Sequence, residues 1–87
     1  MKSKDLRALP NIGKVLADKL ILAEIDSPNK LFIEGSENAF IKLATIDDSP
    51  CFNMLCAIEG AIQGCRWHNL SASRKVELKD FYNSCMK

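Results

Sequence analysis

The stretch LPNIGKVLADKL, residues 9–20, carries the residue types and spacing that come nearest to chemistry in this chain. A short helical segment stopped by proline, a tight turn and a second helix opening on lysine together describe a helix-hairpin-helix. In that arrangement the turn reads Gly-apolar-Gly. Its amides and the following helix N-terminus offer donors and a partial positive charge to one phosphate. The turn here is Asn11-Ile12-Gly13, with Ile12 plugging the core, Lys14 beside the anion site, and Lys4 and Arg7 as further phosphate contacts. Asn11 stands where the first glycine is expected. Asparagine tolerates a left-handed backbone, so the turn can form. Its side chain, however, is expected to stand where a nucleic-acid backbone would approach. Asp18, four residues beyond Lys14 on the same helix face, is expected to take up part of the lysine charge. The turn therefore reads either as a phosphate site or as a structural corner, and the short supply of cations favours the corner.

Arg66-Trp67-His68 is the second cluster of interest. A tryptophan between two apolar helices reads first as a core plug; if exposed between Arg66 and His68 it would instead anchor a partner. His68 could titrate near neutral pH, although a single histidine near a helix start reads first as a local hydrogen-bonding group. Asn53, Glu59 and Gln63 form the polar residues of the helix that precedes this cluster, and with Arg66, Trp67 and His68 they make the candidate partner surface. No Ser-His-acid or Cys-His-acid spacing suggests catalysis, and Asp47-Asp48 reads as charge at a helix N-terminus. Cysteines 51, 56, 65 and 85 form no CxxC, and one histidine offers no ligand cluster, so free thiols are expected, with no metal and no cofactor.

Stop signals place these residues on about five helices, with no convincing strand. Ser3 caps a first short helix that Pro10 ends, and residues 14–24 form the second, with Leu16, Leu20 and Ala23 inward and Val15 and Leu22 widening the apolar stripe. This hairpin occupies residues 3–24. Ser27-Pro28 opens a third helix that Gly35 ends, and Ser36 caps a fourth with Phe40, Leu43 and Ala44 inward. The clearest helix starts at Ser49-Pro50 and repeats Cys51, Met54, Leu55, Ile58, Ala61, Ile62 and Cys65 at helical spacing. Gly60 in its interior costs ~1 kcal/mol against alanine, which predicts another backbone packed closely there. Gly64 stops it. Ser71 caps the last helix, whose stripe is Leu78, Phe81, Tyr82 and Cys85.

Eighty-seven residues, 47% of them apolar, suffice for one domain spanning 1–87, in which roughly 60–65% of the unfolded surface is buried. No run reaches the ~18–20 apolar residues of a membrane span, and the sequence after Met1 lacks an export signal, so a cytoplasmic protein is expected. The net charge of +1 conceals a pattern: +3 over residues 1–19, −4 over 20–50 and +2 over 51–87. That suits a weak anion site or a charged protein interface and falls short of a dedicated DNA-binding face.

With these landmarks in place, the chain resembles the C-terminal domain of the TfoX (Sxy) family of bacterial competence regulators. The blocks that carry the resemblance are LPNIGKVLADKLILAEID at 9–26, KLFIEGSENAFIKL at 30–43, NMLCAIEGAIQGCRWHNL at 53–70 and RKVELKDF at 74–81. It implies an all-α fold of about five short helices in a helix-hairpin-helix or SAM-like bundle, and a non-enzymatic role in controlling DNA-uptake genes, in company with another transcription factor. Full-length regulators of this family look like two-domain proteins. Nothing in the 87 residues corresponds to their N-terminal domain, so a role that needs both halves does not carry over. The first expectation is a helical interaction module acting through a protein partner. The alternative is weak, sequence-nonspecific DNA binding through the hairpin, neutralising ~2–3 phosphates, with micromolar or weaker affinity at physiological salt. Self-association has a generic basis in the small core and the apolar excess of the fifth helix.

Overall fold

The computed structural model describes the backbone of residues 2–47 and 50–85, with side chains from Asp5 onward. It is all-helical: α1 Lys2–Arg7, α2 Lys14–Leu22, α3 Pro28–Ala44, α4 Phe52–Gln63 and α5 Ala72–Cys85, with a 3₁₀ turn at Trp67–Asn69. No strand occurs among the described residues.

Each boundary has a local cause. Ser27 accepts from the Lys30 amide at 3.2 Å and Pro28 takes the first helical position of α3. Ser71 accepts from the Arg74 amide at 3.2 Å and so caps α5. α4 ends in a left-handed Gly64 (φ 76°), with the Cys65 amide reaching back to the Gly60 carbonyl at 2.9 Å. α2 ends the same way at a non-glycine residue. Glu24 is left-handed (φ 67°), and the Ile25 amide donates to the Leu20 carbonyl at 2.8 Å, bringing two buried side chains over the helix end.

α3 carries the break expected at Gly35: that residue adopts φ 81° and ψ 162°, outside the helical region, so the element is two helical runs that meet at a kink. Ser36, expected to cap, is buried and donates its hydroxyl to Glu59 Oε1 at 2.6 Å. α1 starts at Lys2, so Ser3 is its second residue and not its cap. α4 starts at Phe52 with Cys51 as N-cap, two residues beyond the expected proline start, while the Ser49 cap lies outside the described residues.

α4 divides the interior in two. On one side Leu6, Ile12, Leu20, Ile25, Leu31 and Leu43 join its Ile58 and Ala61. On the other, Leu55 and Cys56 meet Phe40, Leu70 and Leu78. Burying one such leucine contributes about 1.5–3 kcal/mol, so the helix is held from both faces. Phe40 makes an edge-on contact with Phe81 (6.5 Å) and a tilted one with Tyr82 (5.8 Å), which seats α5. Four residues expected inside are exposed: Val15, Leu22, Cys51 and Cys85. Ala17 and Leu20 already fill the inward side of α2, and one helix face cannot bury Val15 and Leu22 as well. All four cysteines are free thiols, Cys56 alone buried. No described helix is long and apolar enough to cross a membrane.

Candidate functional site

Asn11 is left-handed (φ 69°), as the turn requires, but its side chain points into the protein. Nδ2 donates to the Cys65 carbonyl at 2.9 Å and, more weakly, to the Ala57 carbonyl at 3.4 Å, and Oδ1 accepts from the Trp67 amide at 3.1 Å. The expectation that this side chain blocks the approach to the turn is thus corrected. The amide is spent on tying the hairpin to the end of α4 and to the tryptophan connector. Gly60 is what makes room: a Cβ there would lie 2.5 Å from Asn11 Nδ2, 2.7 Å from the Cys65 carbonyl oxygen and 3.2 Å from Trp67 Cα. Asn11 in place of glycine and glycine inside α4 are two halves of one contact.

That contact brings together the two clusters that are 56 residues apart in sequence. Between the start of α2, the start of α4 and the connector lies an open groove of about 620 Å³, within the size range of ligand clefts. Val15, Leu16, Met54 and Trp67 make its apolar surface. Lys14, Lys19 and Arg66 stand among its lining residues, with Asn53 and Cys51, and among the described residues no carboxylate does. Lys14 bonds Asp18 at 2.9 Å, as its spacing predicts, and Lys19 bonds Asp47 at 2.7 Å. Both carboxylates belong to residues outside the lining.

Of the residues expected at the hairpin site, Ile12 is buried as a plug, with its amide 3.5 Å from the Leu9 carbonyl. Gly13 is exposed and precedes α2 without a side-chain cap, and Arg7 is exposed at the end of α1, away from the groove. The Lys4 side chain lies outside the described residues. Trp67 satisfies both of its readings in part. One side packs against the second core of Phe40, Leu55, Cys56, Leu70 and Leu78, and another lines the groove. His68 is exposed and stacks on the indole, with centroids 4.0 Å apart.

Glu59 departs from expectation most clearly. It is 8% exposed, so it is no part of a partner surface. Its carboxylate accepts from Ser36 (2.6 Å), from Arg74 Nη2 (3.0 Å) and from Gln63 Nε2, and Arg74 Nη1 also reaches Glu77 at 3.2 Å. Burial alone pushes this carboxyl up, but the hydrogen bonds from Arg74, Ser36 and Gln63, with the Arg74 charge, outweigh it and hold the group at about 2. The same contact with Glu59 raises Arg74 above its ordinary value against the effect of its own burial. A buried carboxylate held ionised by three internal donors acts as a structural charge and has no proton to give at neutral pH. Sequence inspection misses the cluster because Arg74 lies in another helix; the signal that could have found it is Glu59 inside an otherwise apolar stripe, which demands a partner.

Comparison with known proteins bears on the whole chain. The model of the TfoX C-terminal domain matches residues 2–82. The chain belongs to the TfoX C-terminal domain family. Two solved structures from Listeria monocytogenes are similar to it. One, an uncharacterized protein in a triclinic form, is 48% identical with a TM-score of 0.91, over 93% of this chain and 92% of that one. The other, a protein of unknown function in a tetragonal form, is 49% identical with a TM-score of 0.88, over 90% of this chain and 96% of that one. No curated protein matches. The TfoX-type domain thus recurs in those structures over almost their whole length, and they carry the fold without naming an activity.

Proposed function

We propose that this TfoX-type domain is a non-enzymatic interaction module of the bacterial cytoplasm that docks a protein partner in competence or transcription control. The observation that carries the reading is the groove itself, where the hairpin start, the start of α4 and the half-buried Trp67 converge on exposed apolar surface. A tryptophan held by the core on one side and open on another is the kind of anchor that dominates protein interfaces. The engagement of Glu59 by three internal donors supports a role without catalysis. Affinity capture with the wild-type domain and with Val15→Asp tests the proposal. A specific protein retained by the first and lost by the second, with both folded, is the expected result; equal retention by both removes the groove from the account.

Weak DNA binding at the hairpin is the second reading, and one observation favours it. Gly13 leaves the N-terminus of α2 without a side-chain cap beside an exposed lysine. Against it, the surface beside Lys14 is apolar, formed by Val15, Leu16, Met54 and Trp67. Titration of duplex DNA at low and moderate salt decides. Binding lost in Lys14→Glu, with log K falling against log salt at a slope near −2 to −3, would make the hairpin a phosphate site.

A further inference from the structure

Resting on the protein-docking reading, we propose that the groove takes an acidic amphipathic helix: a segment that lays apolar side chains on Val15, Leu16, Met54 and Trp67 and sets carboxylates against Lys14 and Arg66. The charge of the lining selects this partner class. Among the described residues, three cations and no carboxylate line a surface that is otherwise largely apolar. A partner with a basic flank would meet like charge at Lys14 and Arg66, which disfavours the wrong partner more than it strengthens the right one. The Lys14–Asp18 bond does not close the site. Its side chains are 72% and 46% exposed, and a pair so open to water contributes so little that an incoming carboxylate can share the lysine. Lys19 is held by Asp47 at 2.7 Å, where the two charges offset each other, and it is not a contact of the partner.

Phosphate fits the same cations but not the surface between them. Val15 is 70% exposed and adjoins Leu16 in the groove, and a nucleic-acid backbone would leave that apolar area uncovered. Among the described residues, the carboxylates that a second copy of the chain could supply lie outside its own groove lining, so such a contact would join unlike surfaces. Contact between unlike surfaces is heterologous and continues into open chains unless its rotation closes into a ring. A helix suits the groove because apolar residues at i, i+3, i+4 and i+7 form one stripe with acids on its flanks.

The test uses the whole domain and three fluorescent peptides of about 16 residues, roughly four helical turns. One has a leucine stripe flanked by glutamates, the second has the same stripe flanked by lysines, and the third is the first in scrambled order. Anisotropy gives affinity, and amide chemical shifts of the labelled domain give location. The acidic helix should bind roughly tenfold or more tightly than the basic one, moving the amides of Val15, Met54 and Trp67. Raising salt to about 1 M, where the Debye length is ~3 Å, should narrow that gap. Val15→Asp should remove binding while leaving the melting temperature nearly unchanged, and Lys14→Glu with Arg66→Glu should invert the charge preference. Equal binding of acidic and basic helices at the groove would overturn the charge assignment and leave protein docking standing. Binding of neither helix, or shifts confined to other surfaces, would overturn both. Dimers seen by sedimentation that Val15→Asp dissolves would assign the groove to a second copy, and groove shifts with duplex DNA alone would assign it to nucleic acid. Either result ends the acidic-helix proposal.

Discussion

Around Glu59 every recorded polar contact is answered from within the chain, whereas around Trp67 cationic and polar groups stand beside an open apolar groove. Both regions touch α4 and both read as polar in the sequence. At about 100° per residue, Gln63 lies ~40° from Glu59, while Asn53 lies ~120° away from it. The residues that look like one polar side of α4 therefore divide. Glu59 and Gln63 turn toward Ser36 and Arg74, and Asn53 turns toward the groove. A buried, fully paired charge specifies how α3, α4 and α5 meet, and an exposed cation beside an apolar surface is available to something else.

The largest effect expected from breaking this contrast is at Arg74. Arg74→Met leaves Glu59 buried beside Ser36 and Gln63 without its cation, which should lower stability by about 3 kcal/mol at pH 7 in urea denaturation. The pH dependence sharpens the test. In the wild type the Glu59 carboxyl is depressed from the ordinary 4.5 to about 2. Its contribution is present above pH ~4.5 and is lost as pH falls toward 2, because the unfolded chain takes up the proton first. In Arg74→Met burial acts with less opposition and the carboxyl moves up, so the Glu59 share of the profile should shrink or reverse sign. A mutant whose acid profile still parallels the wild type would mean that Arg74 does not set this group.

Next in size is Gly60→Ala. In an ordinary exposed helix interior this change gains up to ~1 kcal/mol. Here the new methyl meets Asn11 Nδ2 and the Cys65 carbonyl oxygen below 3 Å, so a loss of about 2 kcal/mol or more is expected, with a shift in Trp67 fluorescence as the connector moves. An increase in melting temperature would show that the hairpin and connector are not in register as described.

Asn11 refines the same contact from its other side. Asn11→Gly retains the left-handed turn and loses the bonds to Cys65, Ala57 and Trp67, for about 1–2 kcal/mol. Asn11→Ala should be worse by roughly another 1 kcal/mol, since alanine must also occupy φ near 69°. Equal losses in the two variants would put the whole effect in the hydrogen bonds.

What was legible in the sequence follows the range of the forces involved. Ser27-Pro28, Gly64 and Ser71 act over one helical turn, so their caps can be read directly, and Gly60 announces a close neighbour without naming it. The break at Gly35 is equally local and falls where it is expected, whereas the Glu59 partner of Ser36 is 23 residues away in α4 and cannot be read from the turn. Asn11 was visible as a departure and its direction was not, because its acceptors are main-chain carbonyls 46 and 54 residues later. The groove shares that origin. Its walls are individually ordinary and become a site when Asn11 brings the hairpin against the connector.

The smallest effect concerns Val15, where the comparison can fail most simply. At 70% exposure its side chain contributes little to the core, so Val15→Asp should change unfolding free energy by no more than about 0.5 kcal/mol. A modest part of any shift could come from placing aspartate in the first turn of α2, where a negative charge is favourable by a few tenths of a kcal/mol. The variant should therefore match the wild type in thermal melts or be slightly more stable, while losing its partner. A loss above about 1 kcal/mol would mean that Val15 is packed inside the domain in solution, which leaves no open groove beside Trp67 and makes both regions of α4 structural.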